Sequence, residues 1–226
     1  DVEIEVIAQT WSEHCKHKLF AARITYSEDA GLPSWCTKLA PSGGILEVDG
    51  IFKTYISGTT RQIERPWLLS VFSDNAGILA IDADSAVCIK VETHNTPSAL
   101  DPYGGSLTGI VGVNRDILGC GLGSLPVCNL DVFCLATPDY GGAIPERLLH
   151  PRRILGGVRR GVEDGGNKSG IPTVAGALVF DDRYLGKPLI YCGTVGWMPR
   201  MIAGRPCEIK EVRKGDRVCM VGGRIG

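Results

Sequence analysis

The chain has 226 residues, 44% of them hydrophobic and 22% charged, with a formal net charge of −1. That is the composition of a globular protein with a sizeable core, and it offers no broad basic field to nucleic acid or an anionic membrane. No apolar run reaches the roughly 20 residues of a membrane-spanning helix, and Asp1-Val2-Glu3-Ile4-Glu5 lacks the pattern of a secretory signal.

In chain order, Ile4, Ile7, Ala8, Trp11 and Cys15 recur at helical spacing and predict a first helix, with His14 and His17 beside its apolar face. Residues 31–44 hold Gly31, Pro33, Pro41, Gly43 and Gly44 and read as a loop. Strands are expected at Gly44–Val48, Phe52–Ile56 and Ala86–Glu92, while Arg65–Val71 is ambiguous. Gly104–Gly123 reads as a glycine-rich loop or hairpin, and Leu130–Leu135 as a buried strand. A helix is predicted over Pro145–Gly161, then a loop over Gly161–Gly176. Ala177–Phe180 and Leu189–Val195 read as strands, Pro199–Pro206 as a linker, and Val218–Val221 as the opening of something new. Strands and helices do not alternate regularly, so the expected class is α+β with a mixed or antiparallel sheet packed on helices. The chain starts inside a helix-like segment and stops in a glycine-rich run, which is expected of a piece of a longer protein.

Nine cysteines, an odd number with no Cys-x-x-Cys pair, argue against a disulfide framework or structural zinc. Cys88, Cys128, Cys134, Cys192 and Cys219 are expected as small buried hydrophobes in a reducing cytoplasm. Arg152-Arg153 and Arg159-Arg160 read as a solvated face.

Chemistry concentrates between Lys90 and Asp116. On a strand over 87–92, Val87, Ile89 and Val91 share one side, expected to face the core, and Cys88, Lys90 and Glu92 the other. His94, Asn95, Thr93 and Thr96 follow at the strand end, where Pro97 is expected to keep Thr96 out of a helix. Glu92 and Asp116 suit magnesium, which takes one or two carboxylates plus substrate phosphates. Lys90 and Arg115 suit phosphate, and His94 can move a proton near neutral pH. Repeated glycines over 104–112 would let backbone N–H groups approach an anion. A nucleophilic role for Cys15 is disfavoured by its place on the apolar helix face, and zinc at His14, Cys15 and His17 because neighbouring helix residues point in different directions.

Three segments together resemble the phosphoribosylformylglycinamidine synthase (formylglycinamide ribonucleotide amidotransferase) family. They are Trp11-Ser12-Glu13-His14-Cys15, Lys90-Val91-Glu92-Thr93-His94-Asn95, and Pro102–Gly105 with Thr108-Gly109 and Arg115-Asp116. Gly166–Thr173 is similar as well. The resemblance implies an aminoimidazole ribonucleotide synthetase-like N-terminal α+β domain that pairs with a like domain, here expected as a dimer through sheet edges. It divides the chain into a helix and linker (1–30), that domain (31–200), and a linker with the start of a second domain (201–226). It implies an ATP-dependent reaction: ATP phosphorylates the amide oxygen of formylglycinamide ribonucleotide, and ammonia from a glutaminase domain or subunit displaces phosphate. It implies His14 and His94 as catalytic, His17 and Lys90 at ATP, and Glu92 and Asp116 at Mg2+. Thr93, His94, Asn95, Thr96 and Arg115 are implied at the substrate. The family often has Tyr where this chain has His17, and His where it has Thr96. The alternatives are another ATP-using synthetase of the same superfamily, acting on aminoimidazole ribonucleotide or selenophosphate chemistry, and a non-catalytic nucleotide-holding half.

Overall fold

The computed structural model describes residues 21–27 and 45–223. The chain divides into two compact units, Asp1–Pro66 and Trp67–Gly226. His14, His17 and the Trp11–Cys15 motif lie outside the described residues.

In the first unit, strands β1 (Arg23–Ser27) and β2 (Ile45–Asp49) pair antiparallel, Arg23 opposite Asp49. A π-helical turn over Phe52–Ser57 runs into helix α1 (Gly58–Ile63). The strand expected at Phe52–Ile56 is therefore helical. A short apolar run fits either periodicity, and here Thr54 N–H donates to Gly50 O at 2.9 Å, winding the chain from the turn onward.

The second unit is built on a six-stranded mixed sheet. Its strands are β3 (Leu68–Ser70), β4 (Gly77–Ala80), β5 (Ser85–Thr93), β6 (Leu125–Leu135), β7 (Thr173–Phe180) and β8 (Leu189–Pro199), in the order β3-β4-β5-β8-β6-β7. All neighbours are antiparallel except β6 and β7. The parallel pair is joined through a crossover helix, as parallel connections require. Helices α2 (Asn95–Leu100), α3 (Pro102–Leu118) and α4 (Pro151–Ser169) accompany the sheet. One buried cluster, Ile110, Val113, Phe133, Leu135, Ile154, Val158, Val162, Ile190 and Cys192, joins α3 and α4 to the sheet. A second gathers Ile78, Ala86, Cys88, Ile117, Cys120, Met198 and Cys207. A small hairpin, β9 (Met201–Ile202) and β10 (Arg205–Pro206), occupies the expected linker, and residues 207–223 carry no helix or strand.

Three expectations change here. Gly104–Gly123 is mostly helix: Asp101 accepts from Gly104 N–H at the start of α3, Pro102 opens the first turn, and packing overrides glycine's poor propensity. Helix α4 starts at Pro151, where His150 Nδ1 accepts from Arg152 N–H, and runs on through Gly165-Gly166 to a left-handed Gly170 (φ 71°). Thr96 and Pro97 are inside α2, because a proline in the first turn displaces no intrahelical bond.

Glycines make this packing possible. Along α4, a Cβ on Gly157, Gly161 or Gly165 would stand 2.6 Å from Pro102 Cβ, 2.1 Å from Ser106 Oγ and 2.2 Å from Ile110 Cγ2 respectively. The three positions form one stripe at i, i+4, i+8, against which α3 lies. Cys88, Cys134 and Cys192 are buried as expected, Cys128 is half-buried, and Cys219 is exposed in the irregular tail. The arginine cluster is on the outside: Arg152 pairs with Asp139, Arg159 with Glu163, and Arg160 lies over the Tyr103 ring at 5.9 Å.

Candidate active site at the end of strand β5

The helix-covered face of β5 is the opposite of the expected one. Cys88 is fully buried beneath α3, whereas Ile89 and Val91 are 41% and 50% exposed. Lys90 and Glu92 therefore point to the helix side. Cross-strand pairing extends them into two rows, Lys90–Thr194–Asn129 and Glu92–Cys192–Asp131–Gly176.

Helix α3 brings the other half of the site. Gly105, Gly109, Gly112 and Asp116 fall on one helical stripe. A Cβ on Gly105 would stand 2.4 Å from Ser98 N, and one on Gly109 3.1 Å from His94 Cβ and 3.2 Å from Cys192 Sγ. The close approach ends at Asp116. Its Oδ2 lies 3.2 Å from Lys90 Nζ, and Glu92 Oε1 lies 3.1 Å from the same nitrogen. The glycines thus serve helix packing rather than an anion-binding loop. Burial works against the Lys90 charge, but Glu92 and Asp116 outweigh it and hold the ammonium above its ordinary range.

The strand end is tied down through Ile190 of β8. Its carbonyl accepts from His94 N–H, and its N–H donates to Asn95 Oδ1, both at 2.8 Å. Asn95 Oδ1 is thus engaged by the backbone of β8, which leaves its NH2 for a ligand. His94 Nδ1 is buried with no partner among the described residues. Thr93 and Arg115 are exposed and Thr96 is half-buried. Arg115 makes no ion pair among the described residues.

Sequence reasoning missed several supporting groups. Asn75 Nδ2 donates to Asp116 Oδ1 at 3.2 Å. Neighbouring Asp74 accepts from Gly121 N–H at 2.9 Å and pairs with Lys210 at 2.5 Å. Thr194 Oγ1 lies 2.8 Å from the side-chain amides of both Asn114 and Asn129, all three residues being buried. A hydroxyl has one proton, so one of these amides presents its NH2 to Thr194. This network pins α3 to β8 and β6 two residues before Asp116. No local pattern marks these groups, since each pair is separated by tens of residues.

Could these residues hold magnesium? Among the described residues no group of three or more His, Cys, Asp or Glu side chains forms a metal cage. Glu92 and Asp116 nonetheless converge on one positive charge, the Lys90 ammonium, with hard oxygen donors. Two convergent carboxylates fit magnesium's habit of taking one or two carboxylates plus substrate phosphates.

Away from this cluster, a groove of about 910 Å³ runs between α4 and β7, lined by Asp131, Phe133, Arg159, Val162, Thr173 and Leu178 among others. Lys90, Glu92, His94 and Asp116 do not line it. Asp131 is 5% exposed and accepts from Thr173 Oγ1 at 3.0 Å. Burial pushes its carboxyl above the ordinary 3.8, against the Thr173 and Cys192 hydrogen bonds. The Cys192 thiol is pushed up by burial and by Asp131.

The chain belongs to the family of AIR synthase related proteins, N-terminal domain, whose model matches residues 73–198. A model of the formylglycinamide ribonucleotide amidotransferase linker domain matches residues 1–18. Along its whole length the chain is 35% identical to phosphoribosylformylglycinamidine synthase subunit PurL of Thermoplasma acidophilum, covering 100% of this chain and 25% of that protein. The Salinibacter ruber PurL is 32% identical, covering 99% of this chain and 24% of the relative. The chain thus spans about a quarter of the length of these relatives. Among solved structures, T. maritima PurL complexed with FGAR covers 62% of this chain and 20% of its own, at 31% identity and a TM-score of 0.47. Among the described residues no helix is long and apolar enough to cross a membrane.

Proposed function

We propose that this chain is the active-site-bearing first part of a synthetase converting formylglycinamide ribonucleotide to formylglycinamidine ribonucleotide, with ATP and with ammonia from a glutaminase domain or subunit. The observation that carries the reading is the convergence of Glu92, Asp116 and Lys90 beside His94. The relatives bear the synthase's name, and T. maritima PurL has been solved with FGAR and, separately, with ATP.

In this reading Glu92 and Asp116 hold Mg2+, which supplies charge neutralisation for the transferring phosphoryl group. Lys90 meets the ATP phosphates, a contact the family resemblance also assigns to His17, which lies outside the described residues. Thr93, Asn95, Thr96 and Arg115 hold the substrate, Arg115 suiting its phosphate with a two-pronged guanidinium. His94 accepts a proton as ammonia adds, its ring not committed at Nδ1 to any described protein partner. The family resemblance assigns a catalytic role to His14 as well, which lies outside the described residues. The expected setting is the cytoplasm.

A like domain of the same or another chain is expected to pair with this one. The open face of the sheet supports that, since Ile89, Val91, Leu125, Val127 and Trp197 leave apolar surface exposed there.

The decisive experiment is a single-turnover assay of the full-length protein with ATP, ammonia and formylglycinamide ribonucleotide. Glu92→Gln is expected to lower the rate by at least about 100-fold, the scale of losing one charge-stabilising group. Retained activity would sink the metal assignment, and turnover of a different substrate of the superfamily would sink the reaction.

A further inference from the structure

One ammonium fills the gap between the two carboxylates assigned to metal. Lys90 Nζ is 3.1 Å from Glu92 Oε1 and 3.2 Å from Asp116 Oδ2. The Lys90 side chain is only 26% exposed and that of Asp116 18%, so water screens the group in part. The carboxylates are also backed from behind. Asp116 Oδ1 accepts from Asn75 at 3.2 Å, and α3 passes close enough that a Cβ on Gly112 would stand 3.8 Å from Glu92 Oε2.

Charge decides what can enter. Two carboxylates and one ammonium leave a single net negative charge. A bare divalent cation reaching both carboxylates would share their oxygens with Lys90 and be repelled by it. A cation carried by a polyphosphate is different, because the phosphates offer the ammonium a new partner. Lysine is suited to such a transfer, being a point charge on a flexible four-carbon stem.

We propose that Lys90 is a built-in placeholder cation that fills the Glu92–Asp116 gap in the nucleotide-free protein, keeps free divalent ions out, and moves onto the phosphates when the metal arrives with nucleotide. The inference rests on the assignment of Glu92 and Asp116 as metal ligands. Metal and nucleotide then enter as one ligand, not as two independent ones.

The test uses the full-length protein, with Mn2+ binding followed by the EPR signal of the free ion, with and without a non-hydrolysable ATP analogue. Wild type is expected to bind Mn2+ at least about tenfold more tightly with the analogue present. Lys90→Met and Lys90→Gln are expected to tighten nucleotide-free Mn2+ binding by about tenfold or more while weakening the analogue. Two variants of different polarity guard against one failing to fold. If neither binds free Mn2+ better than wild type, the placeholder role is overturned. Glu92→Gln and Asp116→Asn, measured with the analogue, separate this from the underlying assignment. Undiminished Mn2+ binding in them removes the metal site and the placeholder together. Lost binding in them, with Lys90 variants no better than wild type, removes only the placeholder.

Discussion

At the scale of single residues, Asp131 shows how burial and charge compete. Its carboxyl lies under α4 with its Oδ1 unpartnered among the described residues, and its pKa is raised above the ordinary 3.8 by burial. A raised carboxyl pKa means that the neutral form is favoured on folding. The associated stability is fully present below pH 3.8 and is lost as pH rises through the folded-state value. Asp131→Asn keeps an acceptor for Thr173 and removes the ionisation. It is expected to melt higher than wild type at pH 7, with the gap closing toward pH 3.5. Parallel melting curves of the two proteins across that range check this, and a gap independent of pH would refute it. The same scale explains what was legible in the site. Lys90 and Glu92 stand on a recognisable strand with His94 just past its end, so their proximity could be read directly. That Asp116 reaches Lys90 depends on a helix stripe of glycines read as a loop. Asn75, Asn114 and Thr194 gave no signal, being ordinary polar residues whose meaning lies in partners far along the chain.

At the scale of elements, strands β5, β6 and β8 announced themselves through β-branched and apolar runs, but the orientation of β5 did not. Both of its faces carry apolar residues, so alternation alone could not tell which face meets helices and which remains open. Helix α3 and the second half of α4 were obscured because their glycines lower intrinsic helicity. Their stability comes instead from the close contact those glycines allow. This separates two substitutions on one helix. Gly161→Ala would put a methyl 2.1 Å from Ser106 Oγ and 2.5 Å from the Tyr103 carbonyl, and is expected to destabilise by about 2 kcal/mol or more. Gly156→Ala meets nothing within 4 Å and is expected to stabilise by up to about 1 kcal/mol. Thermal melts of the two variants should move in opposite directions, and a shared direction would refute the packing argument.

At the scale of the whole molecule, the second unit presents one sheet face to helices and the other to solvent. Trp197 on the open face, beside Val87 and Leu125 in the pairing register, is the largest apolar side chain there. If a like domain covers this face, Trp197→Glu buries a charge in the full-length assembly. It should then melt at least about 3 °C lower than wild type. An unchanged melt, with an unchanged mass by light scattering, would argue that the face stays open.

Strand β8 lies between β5 and β6, yet follows both in the chain by many tens of residues. During synthesis β5 and α3 emerge first and must wait for Leu189–Pro199 before either gains its central neighbour. Only then do Ile190 and Thr194 reach His94, Asn95 and Asn114. The unit therefore closes its sheet last at the place of the candidate site. Such long-range closure is slow and leaves strand edges exposed meanwhile.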